Sequence, residues 1–445
     1  MRIGKNWWIG GGLGVLGLGC VLSLIPVLAA TNLESQVRRA ERALSEGRVE
    51  EAQPICDRLL ANHPTSLDSA TLAHVRLLAA RAAFATDDFS GGIAYVRPLL
   101  EQRDSRAQRW VVQQAEHLAI AHGRLAPAEQ MLVAELQLDR RYLPALRLLT
   151  QILRAEGRWH SATQRCYEQL RRSQFTRADL IFLISPELEN SEEERVLQIQ
   201  RRASSHPLVH FARLRRNPHR KPSQWVESLQ RLARKAPKCI ELQATLGKAL
   251  AATGQPDQFR QWREQLPAQA WSHPGIWYAA AIELSQQAQP RAAIRCCWES
   301  LRRQADQPPV YRLLVQLLEQ QRDHRLPHYR RRAEQLADLV ATAGVLRDSP
   351  GHLQSLRRVM TLCRDLGRYW EAAGWAVEME ACDPSDVTTR ELQRTIRGHL
   401  ADDLPVVVES YDPVLRCRLD SYPLPDWLAT PPEMSHPPVW PVPSP

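Results

Sequence analysis

The sequence predicts an all-α chain, a solenoid of stacked helix pairs, and three observations predict it. HGRLAPA at 122–128, EGRWHSA at 156–162 and LGRYWEA at 366–372 share one pattern: Gly, a large apolar residue two later, and Ala three after that. Gly123 and Gly157 lie 34 residues apart, a period that repeats one two-helix unit. Apolar residues recur in steps of three and four, as in SLDSATLAHVRLLAARAAF at 66–84, and no alternating strand pattern precedes residue 405. Stacked pairs also accommodate 445 residues without separate globular domains, because in a solenoid each repeat touches only its neighbours.

The physical content of the pattern is a helix hairpin. Gly in a short loop ends the first helix in a backbone conformation other residues resist. The following large residue starts the second helix and packs back on the first, and the Ala is small where the two helices cross. Residues Gly123 and Ala128, Gly157, Trp159 and Ala162, and Gly367, Tyr369 and Ala372 carry it, as do Gly47, Val49 and Ala52 in EGRVEEA. Pro64 and Pro384 stand seventeen residues after Gly47 and Gly367, the same offset in both copies. Around 288 an Ala replaces the Gly, yet Trp277, Ala281, Ala293 and the 34-residue step from Gly254 fit. The Gly254 copy keeps Leu246, Gly247 and Leu250 but has Phe259 for the Ala, and DDFSGG at 87–92 is a degenerate copy with Phe89 in the aromatic slot. This phased series resembles the tetratricopeptide repeat over about residues 33–172 and 238–401. The resemblance implies a right-handed α–α superhelix and a binding surface for a protein or peptide, with the first helices of successive repeats lining a concave face.

In chain order, residues 1–32 come first. Asn6 to Leu33 holds no charged residue, and Trp7 to Ala30 is an apolar run of 24, about 36 Å of helix against a hydrocarbon core of about 30 Å. Residues 7–30 are expected to be an uncleaved single-pass anchor, because the run exceeds the 7–15 residues of a usual signal core. A cleaved signal peptide is the competing reading, with Val27-Leu28-Ala29 offering small residues, and a lipoprotein is disfavoured because ten more apolar residues follow Cys20. Arg2 and Lys5 precede the run, which favours the amino terminus inside the cytoplasm and the helices beyond an inner membrane, in the periplasm. Gly10-x-x-x-Gly14 can pack two such helices closely, although Gly is common in membrane helices generally.

Residues 33–172 and 238–403 are the repeat blocks, the latter closed by a polar capping helix, and 173–237 contains no clean unit. That irregular segment is basic. Residues 195–238 hold twelve basic side chains, among them Arg201, Arg202, Arg213, Arg215, Arg216, Arg220, Lys221, Arg231 and Lys235, against the single acid Glu227. The chain's net charge of +9 is concentrated there. One reading is a surface for an anionic partner, and the other is a solvated face in an arginine-biased chain. Nucleic acid is not expected, because no recognised motif accompanies the charge and export would remove the substrate.

Residues 404–445 change character. Eleven prolines fall between Pro405 and Pro445, which excludes helix and favours extended geometry. Val406-Val407-Val408, Tyr422-Pro-Leu-Pro-Asp-Trp427 and Trp440 are too apolar for a plain spacer, so 405–428 is expected to dock, on a partner or along the repeats themselves.

Catalytic and metal chemistry are not expected. Cys56, Cys166 and Cys297 each follow a loop position by nine residues, a buried slot on the second helix where free Cys acts as a small hydrophobe. No CxxC, haem or finger spacing occurs, His324 and His328 are separated by Pro327, and His206 is followed by Pro207. These read as loop or helix-start histidines. No phosphate loop, nucleophile elbow or dinucleotide fingerprint is present, and no cofactor is implied. Sequence therefore points to a membrane-anchored scaffold or adaptor holding a protein or peptide client. Its architecture is similar to that of bacterial anchored repeat proteins of envelope biogenesis, without the Cys-rich terminal module of the lipopolysaccharide-assembly relative. The alternative is a non-catalytic docking subunit of an envelope enzyme that uses 195–238 on an anionic partner.

Overall fold

Reversal of the chain through residues of positive φ organises the whole fold. In the computed structural model, residues 33–62, 68–188, 194–216, 222–385, 387–399, 422, 424 and 426–428 are described. The expected anchor at 7–30, Pro64, Arg220, Lys221, Val406 to Val408 and Trp440 lie outside them. Among the described residues no strand occurs, and no helix is long and apolar enough to cross a membrane.

The first helices are α1 (33–45), α2 (Val49–Asn62), α3 (Ser69–Ala85), α4 (Phe89–Glu101) and α5 (Ser105–Glu116). A π-turn over His117–Ala121 leads to α6 (Leu125–Leu138), α7 (Leu143–Ala155) and α8 (Trp159–Leu170). Then come α9 (Arg177–Ile184), α10 (Glu194–Arg202), α11 (Pro207–Arg215) and α12 (Pro222–Lys235). The remainder is α13 (Ile240–Ala252), α14 (Pro256–Glu264), α15 (Pro274–Gln286), α16 (Pro290–Arg303), α17 (Pro308–Gln320), α18 (Leu326–Asp348), α19 (Leu353–Asp365), α20 (Tyr369–Cys382) and α21 (Val387–His399). Start signals are local: the Asp68 and Asp88 carboxylates accept from the backbone N–H groups of Thr71 and Gly91. Proline opens α11, α14, α15, α16, α17 and α18, where its missing N–H costs nothing.

Among the described residues, the hairpins α1–α2, α3–α4, α5–α6, α7–α8, α13–α14, α15–α16, α17–α18 and α19–α20 each turn at one left-handed residue. Gly47, Gly123, Gly157, Gly254 and Gly367 have φ between 64° and 75°. At Gly157 the helix end is sealed by two backbone bonds, Gly157 N–H to the Arg154 carbonyl at 3.0 Å and Arg158 N–H to that of Leu153 at 2.9 Å. Where Gly is absent the geometry persists: Ala288 and Arg322 adopt φ of 55° and 50° at 34-residue steps from Gly254. Bulk moved to one helix is received by a small residue on its partner. Opposite Phe259 and Trp262 of α14 stands Gly247 of α13, whose Cβ would lie 2.3 Å from the Trp262 ring.

Two compact units result. The first comprises residues up to Glu116 together with Ala126–Ala145, and the second His117–Leu125 together with the chain from Leu146. A core of the first joins Val37, Ile55, Cys56, Leu59, Val75 and Leu78 from α1, α2 and α3. One core of the second joins Phe211, Leu229, Leu242, Leu250, Phe259 and Ile276 from α11 to α15.

Within the second unit the expectation that each repeat touches only its neighbours fails. Helices α8 and α9 pack against α20, and α9 also against α18. The reason lies in α9, a short helix whose Leu180-Ile181-Phe182-Leu183-Ile184 run is buried on all sides. A helix apolar all round must be covered on every face. Its start is fixed by a reciprocal capping box between Thr176 and Asp179, and Asp179 also takes Arg154 at 2.6 Å in the interior. Gly374 of α20 admits the contact, since a Cβ there would stand 2.7 Å from Leu180. Arg177 then donates to Glu378 at 2.6 Å and Arg368 to the Leu183 carbonyl at 3.2 Å.

Candidate functional site

The residues that define the repeat are structural. Ala52, Ala128, Ala162, Ala293 and Ala372 are fully buried, as is Trp277, and Trp159 and Tyr369 nearly so. Gly123 and Gly157 combine positive φ with close backbone approach: a Cβ would lie 2.8 Å from the Arg202 carbonyl oxygen and 2.8 Å from the Ala212 Cα. Gly47 has the same φ with nothing within 4 Å. Cys56, Cys166 and Cys297 are buried free thiols, and burial pushes the Cys56 thiol up to about 12. His206 occupies the N-cap position of α11, and His324 lies in the loop before α18.

The arginines of the basic segment divide. Arg215 is turned inward: it donates to the Gly157 carbonyl at 2.7 Å and stacks over the Trp159 ring at 3.6 Å. Arg213 donates to the Gln200 carbonyl and Arg216 to the Gln200 side chain. These three tie α11 to α10 and to the Gly157 loop. Arg201, Arg202, Arg231 and Lys235 are exposed on α10 and α12, and Arg231 pairs with Glu227 at 3.2 Å.

A buried polar cluster forms where three helix starts converge. Glu241 in the first turn of α13 accepts the backbone N–H of His160 at the start of α8, and its carboxylate lies 3.9 Å from Nε2 of His273, the N-cap of α15. The imidazoles of His160 and His273 meet edge to face at 4.8 Å, and His160 Nδ1 meets Gln304 at 3.0 Å. Helix N-termini carry partial positive charge and favour an anion there. Burial pushes the Glu241 carboxyl up, and His273, Arg215 and His160 together bring it below the usual range. Burial and the neighbouring His273 lower His160 to about 4.

The most developed surface receives the chain's own tail. Tyr422 donates its phenol hydrogen to Asp323 at 2.7 Å, meets Trp298 edge to face at 4.7 Å, and offers its backbone carbonyl to Arg295 at 3.1 Å. Arg325 grips Asp323 at 2.9 and 2.7 Å and also donates to the Tyr422 oxygen. That grip is the main reason the Asp323 carboxyl titrates far below the usual range. Trp427 lies in a one-turn 3-10 helix, Asp426–Leu428, with its ring 6.0 Å from Trp271 and 4.2 Å beneath the Arg263 guanidinium.

Behind this surface stands Glu299, a buried carboxylate on α16. It takes Arg295 at 3.0 Å and Arg303 at 2.8 Å, and Arg303 in turn donates to the Trp271 carbonyl at 2.8 Å and covers the Trp277 ring. Trp277 Nε1 donates to the same carbonyl at 2.7 Å. One carboxylate thus orients both the arginine that holds Tyr422 and the tryptophan that meets Trp427.

Tyr422 and Trp427 stand out in the sequence, and the residues that receive them do not. Their only sequence signal is helical spacing: Arg291, Arg295, Trp298 and Arg302 recur at three and four along α16. They come from second helices and loops, whereas the first helices were the expected client face.

No family model and no curated protein sequence matches the chain. Among solved structures, a crystal structure of the TPR domain of P58(IPK) is similar at 14% identity, covering 82% of this chain and 98% of that one, with a TM-score of 0.22.

Proposed function

We propose that the chain is a scaffold or adaptor at the cell envelope, anchored in the inner membrane through residues 7–30, with its helical hairpins on the periplasmic side holding another protein. One observation carries the reading: the hairpins already hold residues of a protein segment, Tyr422 and Trp427, through an array of aromatic rings, guanidinium groups and one carboxylate. Aromatic residues and arginine are the side chains that concentrate binding energy at protein interfaces. The surface of α14, α16 and the α17–α18 loop is therefore the favoured client site over the face of first helices.

The competing reading, a docking subunit that holds an anionic partner, rests on the exposed Arg201, Arg202, Arg231 and Lys235. A salt series on complexes captured from membranes with the anchor intact separates the two. Affinity nearly indifferent to ionic strength is expected for the scaffold, and a steep fall with salt supports the anionic partner. Protease treatment of intact spheroplasts tests the orientation: digestion of the hairpins is expected, and their survival places them in the cytoplasm.

A further inference from the structure

The tail contact names the chemistry of the client, an inference that rests on the scaffold reading. We propose that the surface formed by Arg263, Trp271, Arg295, Trp298, Asp323 and Arg325 is a recognition site for protein segments that carry Tyr and, five residues on, Trp with prolines between. Residues 422–428 are its resident occupant, and a client segment of the same chemistry displaces them.

Three of the receiving groups are held by the fold itself. Asp323 is fixed by Arg325, Arg295 by Glu299, and Trp271 by Arg303 and Trp277 through its carbonyl. A site set in advance loses little freedom on binding. Each feature of the occupant meets its own group or groups on this surface. The phenol is distinguished from a plain phenyl ring by Asp323 at 2.7 Å, a charge-assisted bond that a Phe would leave unmade. The backbone is read by Arg295 at 3.1 Å, and the indole by Trp271 and the Arg263 cation. Pro423 and Pro425 restrict the segment before it binds, so less freedom is lost when it docks.

The occupant is also separable from the repeats. Twenty-two residues lie between the end of α21 at His399 and Tyr422, and no hairpin needs the segment to complete its helix pair. Carried on the same chain, it competes as an intramolecular ligand. A client must therefore bind substantially better than an isolated copy of the tail, or arrive on a partner held elsewhere on the chain.

The test uses the full chain with Tyr422→Ala and Trp427→Ala together, which removes the two rings that occupy the surface; this variant is the emptied chain. A fluorescein-labelled peptide of residues 419–430 is followed by anisotropy. Saturable binding to the emptied chain is expected, at least tenfold weaker for the parent, with a tenfold loss for a peptide carrying Phe in place of Tyr. Arg325→Ala in the emptied chain should cost a similar factor, and circular dichroism checks that each variant keeps its helices. The milder Tyr422→Phe chain should fall between parent and emptied chain. Equal binding to parent and emptied chain, or no saturable binding to the emptied chain up to about 1 mM, overturns the proposal. Concentration-dependent dimers of the parent that vanish in the emptied chain would assign the segment to a second copy and overturn the resident role. If the peptide fails while the parent still retains a membrane partner, this inference falls and the scaffold reading stands.

Discussion

Tyr167 of α8 donates its phenol hydrogen bond to the buried carboxylate of Glu371 on α20, across 204 positions of sequence. Arg368 meets the same carboxylate at 2.8 and 2.7 Å and reaches the Leu183 carbonyl at the end of α9. Three side chains thus clasp second helices that a neighbours-only solenoid would keep apart. Burial pushes the Glu371 carboxyl up, and the Arg368 cation opposes that shift. Glu371→Gln strands a buried guanidinium and is expected to destabilise by about 3–5 kcal/mol. Tyr167→Phe removes one bond to the carboxylate and should cost about 1–3 kcal/mol. Denaturant unfolding measures both, and parent-like midpoints would show that the clasp contributes nothing.

Glycines of equal φ should respond unequally to a methyl group. At Gly47 only the left-handed backbone resists it, and Gly47→Ala should cost about 1–2 kcal/mol. At Gly157 the Ala212 backbone also stands 2.8 Å away, so Gly157→Ala should cost clearly more. The converse holds at Ala288, with φ of 55°: Ala288→Gly should relieve the strain and stabilise by up to about 1 kcal/mol. Thermal melts of the three variants give the ranking.

The signature alanines sit where helices cross. Ala162 and Ala293 have no exposed surface, and Leu at either should overpack the crossing by about 1–3 kcal/mol. Unchanged melting of either variant would contradict the assigned crossing.

Acid should loosen the cluster at the start of α8. With its folded value near 4 against an ordinary 6.5, His160 binds its proton more weakly folded than unfolded. Its contribution is full above pH 6.5 and is lost as pH falls toward 4, because the unfolded chain takes up the proton first. His273 adds to the shift, and Glu241 and Gln304 oppose it without reversing it. Stability should fall by on the order of 1–2 kcal/mol between pH 6.5 and 5, and His160→Gln should flatten that slope. An equal slope in parent and variant assigns it elsewhere.

Much of the fold is legible because the repeat writes its loops in glycine. Gly47, Gly123, Gly157, Gly254 and Gly367 all take the left-handed turn the spacing implies, and Ala288 does so where Gly is missing. Arg322 escaped notice because an arginine in that turn carries no signal beyond the 34-residue step from Ala288. Residues 173–188 were illegible for a deeper reason. The apolar run of α9 has no stripe, and its partners on α18 and α20 lie far along the chain. The basic segment misleads in part because charge on the page does not tell direction: Arg215 points at Gly157 and Trp159. In the tail, Tyr422 and Trp427 stood out as too apolar for a spacer, while Glu299 and Asp323 look like ordinary surface acids until Arg295, Arg303 and Arg325 are seen around them.

The central claim is that the surface over α16 binds protein segments, and crosslinking from that surface tests it most directly. A photo-reactive phenylalanine analogue replaces Arg291, an exposed residue whose guanidinium lies 5.6 Å from the Tyr422 ring. After irradiation in cells, crosslinked peptides are identified by mass spectrometry. The account predicts capture of residues 419–430 in the parent, and of a segment of another protein once Tyr422 and Trp427 are both Ala. Capture of neither, or an unchanged pattern after the tail is altered, would contradict it.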